Sequence, residues 1–144
     1  MARFKDDAVQ TALRQHLEPG EELKNWAYGV KQPNFWLILI LYAMAILPGA
    51  IAVALLTKEY IVGLTNRRFL VLRVNGSLQV LETIEYALDA LPPVAASTGV
   101  LFTHIKIKDA QRPFVAKFHR LGMPKNREHT MAMEAALTRP RLPA

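Results

Sequence analysis

Basic side chains dominate the residues able to do chemistry. Lys106, Lys108, Arg112, Lys117, Arg120, Lys125 and Arg127 fall within residues 104–127, where Asp109 is the only carboxylate. Such a cluster suits anionic groups, and Lys106, Lys108 and Lys117, with Arg120 close by, are the candidates for contact with an anionic headgroup or an acidic partner. Arg67 and Arg68 form a second basic pair, directly after Thr65-Asn66. The guanidinium fork matches phosphate and carboxylate alike. Their other use is a structural ion pair with Glu22, Glu82 or Glu85.

Catalytic chemistry is not announced. The chain has no cysteine, which removes thiol nucleophiles, thiolate metal sites and disulfides. His16, His104, His119 and His129 show no metal-ligand spacing. Asp6-Asp7 and Glu21-Glu22 are adjacent pairs, and neighbours in a strand face opposite ways. No glycine-rich phosphate loop and no nucleophile elbow is present. The expectation is a non-enzymatic protein with no catalytic residue, no cofactor and no metal. Nucleic acid is not an expected partner either, because that would call for aromatics interleaved with the basic face and only Phe102 qualifies.

Behind these side chains stands a 144-residue chain with a net charge of +6, long enough for one domain with its own core. Basic and acidic side chains balance over residues 1–34, so the excess follows the central apolar stretch. That stretch, residues 35–56, reads FWLILILYAMAILPGAIAVALL, without a charge, between Lys31 and Lys58. At about 1.5 Å per residue it spans roughly 33 Å, close to the hydrocarbon thickness of a bilayer. It therefore reads as a transmembrane or re-entrant membrane segment, with Phe35, Trp36, Leu39, Tyr42, Pro48 and Gly49 as its marker residues. Pro48-Gly49 allows a kinked single crossing or a hairpin that enters and leaves on one side. A buried core helix or an oligomer seam is the alternative.

Residues 1–17 hold an amphipathic helix, closed by Pro19-Gly20. Residues 18–34 supply one strand. Beyond residue 57 the apolar pattern changes to period two. Asn75-Gly76 predicts a type I′ hairpin turn. Folding residues 100–119 about Asp109–Arg112 pairs Ile107 with Phe114, Ile105 with Ala116 and Thr103 with Phe118. A slip of one residue would bury lysines instead. Pro124 opens a final helix running to about Thr138, and residues 140–144 form a tail. The reading is α+β, mainly β: seven strands, a C-terminal capping helix, and a hydrophobic membrane segment between strands 1 and 2. The domain comprises residues 18–34 and 57–139.

Two segments carry a resemblance. Leu17-Glu18-Pro19-Gly20-Glu21-Glu22 is similar to the opening "L-x-P-G-E-E" of bacterial pleckstrin-homology-like (PH-like) domains, and Tyr60–Leu72, YIVGLTNRRFLVL, resembles their "y-x-l-T-n-R-R-l" strand pair. The likeness covers roughly residues 17–138. It implies a PH-like barrel or sandwich on the cytoplasmic side of the inner membrane, a binding or scaffolding role, and homo-oligomers. It favours a re-entrant hairpin, because a single crossing would part strand 1 from its own barrel. Membrane lipids, further copies of the chain and other membrane proteins are the expected partners. The alternative roles are an accessory subunit of a larger membrane complex or a sensor of anionic lipid.

Overall fold

The computed structural model describes residues 3–32 and 34–138, so the 140–144 tail lies outside the described residues. Helix α1 (Asp6–Arg14) precedes strand β1 (Leu23–Lys31), and helices α2 (Phe35–Met44) and α3 (Ile46–Leu56) follow. Then come β2 (Lys58–Thr65), β3 (Arg68–Val74), β4 (Val80–Ala87), β5 (Val94–Thr98), β6 (Phe102–Ile107) and β7 (Phe114–His119), and helix α4 (Asn126–Thr138) closes the order. The strands form one antiparallel sheet in the order β4-β3-β2-β1-β7-β6-β5. Its halves are joined at a single residue pair, Val30 with Lys117.

Strands β2 and β3 are apolar along almost their whole length because both of their faces are covered. One face meets a core of Val62, Phe69, Val71, Ile105, Phe118 and Met133, enclosed by the two half-sheets and α4. The other meets Val9 and Leu13 of α1, which pack on Ile61, Leu70 and Leu72. The β6–β7 register matches the sequence expectation at all three inward pairs, Ile107–Phe114, Ile105–Ala116 and Thr103–Phe118. Helix α4 is pinned by Asn126, which is fully buried. Its amide donates to the carbonyls of Tyr28 (3.0 Å) and His119 (2.7 Å), and its oxygen accepts from the Tyr28 N–H (2.9 Å).

Two expectations are corrected. The first is the membrane segment of the expected fold: among the described residues no helix is long and apolar enough to cross a membrane. The run breaks at Ala45, whose backbone is extended, into helices of 10 and 11 residues. The cause lies at Pro48, whose ring would collide with the carbonyl four residues earlier, that of Met44. One helix must therefore end at Met44, and Pro48 fits in the first turn of the next, where no intrahelical donor is needed. The second correction concerns Asn75-Gly76, which does not make a two-residue turn. The Asn75 side chain instead accepts from the N–H groups of Ser77 (2.9 Å) and Gln79 (3.0 Å). The loop extends to Leu78, which takes the positive φ of 60° and rests against the α1-side core.

Candidate functional site

Helices α2 and α3 form a hairpin that stands away from the sheet. Lys31 and Lys58 are direct partners on β1 and β2, so the excursion starts and returns at one place. Each helix is about 15 Å long, half the hydrocarbon thickness of a bilayer. No residue of α2 is buried, and in α3 only Gly49 is. A side chain at Gly49 would strike the backbone carbonyl of Leu41, so the absence of a Cβ is what lets the helices touch. This is a close-approach role, not a chain reversal. At the tip, Met44, Ile46 and Leu47 are 79%, 77% and 71% exposed. The marker residues Leu39 and Tyr42 lie along α2, while Phe35 and Trp36 sit at the root with their rings edge to face. Asn34 caps α2 there by accepting from the Trp36 N–H.

The root is basic. Lys31 and Lys58 face each other across the ladder. On the neighbouring strand Lys117 donates to the Gln32 amide oxygen (2.5 Å) and lies over the Phe102 ring at 4.8 Å. His104 is the cross-strand partner of Lys117, and Lys106 the partner of Val115. Past Val30–Lys117 the β1–β7 pairing stops, and the strands part around a cleft of about 280 Å³ lined by Lys31, Gln32, His104, Val115 and Lys117. Lys106 is exposed on this outer face, and Lys108 follows the end of β6. Arg120 is exposed beyond the far end of β7, where its N–H bonds the Leu101 carbonyl.

Arg67 and Arg68 sit elsewhere and do different work. Arg68 holds both oxygens of Glu21, each at 2.9 Å, and also reaches Glu85 and the His16 carbonyl. Thr65 adds a hydrogen bond to the same Glu21 carboxylate at 2.6 Å. Burial would raise the Glu21 carboxyl, but its hydrogen bonds from Arg68, Thr65 and the Glu18 N–H outweigh that and hold it down at about 2. Glu22 and Asn66 complete the join, the Glu22 N–H donating to the Asn66 side chain and the Asn66 N–H to the Glu22 carbonyl. Among the described residues the Arg67 side chain makes an exposed pair with Glu18 at 3.5 Å.

The structure thus gathers Lys106 and Lys117 near the hairpin root and leaves Arg67, Arg68 and Arg120 apart from it. Sequence reasoning missed Gln32 in the cleft and Asn126 under α4. A signal for the first exists: pairing the strands across the apolar run puts Lys31 opposite Lys58 and brings Gln32 to the root. Asn126 gives none, since a polar residue at a helix start reads as an exposed cap.

The strand order, the antiparallel seven-stranded sheet and the C-terminal helix fit a PH-like fold. No family model matches the chain, and no curated protein does. Among solved structures it is similar to the hSac2 domain from human phosphoinositide phosphatase Sac2, at 8% identity and a TM-score of 0.49, over 90% of this chain and 77% of that one.

Proposed function

We propose that this chain is a non-enzymatic binding and scaffolding module of the bacterial PH-like kind, held on the cytoplasmic face of the inner membrane by the α2–α3 hairpin dipping into one leaflet. The observation that carries this reading is an apolar hairpin in which Gly49 alone is buried, with lysines confined to its root. Burying such a surface in hydrocarbon is favourable at about 25 cal/mol per Å². Its length suits one leaflet, and aromatic residues at the root suit the interface. The turn meets part of the demand that backbone groups in hydrocarbon be satisfied. The Ala45 N–H bonds the Leu41 carbonyl, its carbonyl accepts from Gly49, and Pro48 brings no N–H. Support for the bacterial PH-like kinship comes from the two motif segments meeting in space, through Glu21 with Thr65 and Arg68 and Glu22 with Asn66.

The test is flotation of the full chain with phosphatidylcholine vesicles, read together with Trp36 emission in a Trp26→Phe background. Co-flotation with a blue shift of Trp36 is expected. A chain that remains at the bottom of the gradient with Trp36 still in water would overturn the reading.

A further inference from the structure

Resting on the hairpin reading, we infer that the split between β1 and β7 at the hairpin root is a binding site for the phosphate of an anionic phospholipid. The cleft opens where the β1–β7 ladder ends, and its charged lining is cationic: Lys31 and Lys117, joined by the amide of Gln32 and the imidazole of His104. Among the described residues every ion pair uses an arginine, so these lysines have no carboxylate to neutralise them. Lys117 rests on a neutral amide and an aromatic face. Lys31 directly opposes Lys58, and like charges in direct cross-strand register repel. An anion at the root would remove that repulsion. Val30 and Val115 give the same cleft an apolar wall, suited to the glycerol end of a lipid and of no use to a free phosphate ion. With α2 and α3 in the leaflet, the cleft lies at headgroup depth.

The experiment compares flotation of the full chain with phosphatidylcholine vesicles and with vesicles containing about one third phosphatidylglycerol. The wild type is expected to prefer the anionic vesicles. A basic residue near such a surface is worth about 1 kcal/mol, or roughly fivefold. The Lys31→Gln/Lys117→Gln variant should therefore lose the preference by on the order of tenfold while still floating with phosphatidylcholine. Gln32→Glu, which places a carboxylate beside Lys117, should do the same without removing a lysine. Lys125→Gln/Arg127→Gln carries the same charge change on another segment and should keep the preference. Equal flotation of wild type and cleft variants with both vesicles would overturn the inference and leave the hairpin reading standing. An equal loss in the Lys125/Arg127 control would overturn it in favour of diffuse charge. Abolition of the preference by millimolar inorganic phosphate would overturn it in favour of a soluble anion. If the wild type floats with neither vesicle, the hairpin reading itself fails.

Discussion

Glu21 has no exposed side-chain surface, and its carboxylate ties the start of β1 to the β2–β3 turn through Arg68 and Thr65. Its acidity makes stability depend on pH. The folded carboxyl sits at about 2 against an ordinary 4.5, so its contribution is fully present above about pH 4.5 and is lost as pH falls through about 2. The unfolding free energy from urea titrations across that range should decline by up to about 3 kcal/mol, and Glu21→Gln should flatten the slope while lowering stability at neutral pH. A flat wild-type profile would remove Glu21 from this role. Asn126→Ala should cost about 3 kcal/mol in chemical denaturation, because it strands the carbonyl and N–H of Tyr28 and leaves the His119 carbonyl with the Gly122 N–H alone. At this scale the sequence was partly legible. That Arg68 would find a carboxylate was readable, as was Glu85 among its partners. Glu21 in place of Glu22 was not, since adjacent residues face opposite ways and only the bend at Gly20, with its φ of 82°, selects between them.

Among the elements, the strands were readable because period-two alternation and β-branched residues mark half-buried surfaces, and the β6–β7 register came from the lysines that any slip would bury. The α2–α3 break was harder to place. Residues 35–56 carry no charge to mark a turn, and Pro48 lies in the helix it starts, four residues beyond the one it ends. The correction from a crossing segment to two short helices turns on that steric effect. Gly49 tests it. Gly49→Leu would force Leu41 away from α3 and should reduce vesicle partition by on the order of tenfold, by analogy with the cost of overpacking, typically 1–3 kcal/mol. Melting of the sheet should hardly move, because Gly49 belongs to neither core. A large fall in melting temperature with unchanged partition would assign Gly49 to the domain core instead.

The whole molecule is a sheet domain with its cores complete and an apolar hairpin attached through one pair of strands. Both cores form from α1, α4 and the strands, so the domain should survive loss of the hairpin. Replacing residues 32–57 with Asn-Gly closes Lys31 onto Lys58 by a two-residue turn, and the product should melt within about 5 °C of the parent and no longer float with vesicles. The overall order of elements was legible in the chain. The hairpin's return to its starting point needed the β1–β2 pairing, which joins residues on either side of the apolar run. The hairpin's placement is tested most directly through the absence of native cysteine. Single cysteines placed at Lys31, Ala45 and Lys58 would be labelled from either side of sealed vesicles with a membrane-impermeant maleimide. Lys31→Cys and Lys58→Cys are expected to react from the same side, and Ala45→Cys to be protected from both. Reaction of Ala45→Cys from the far side, or of the two root positions from opposite sides, would contradict that placement.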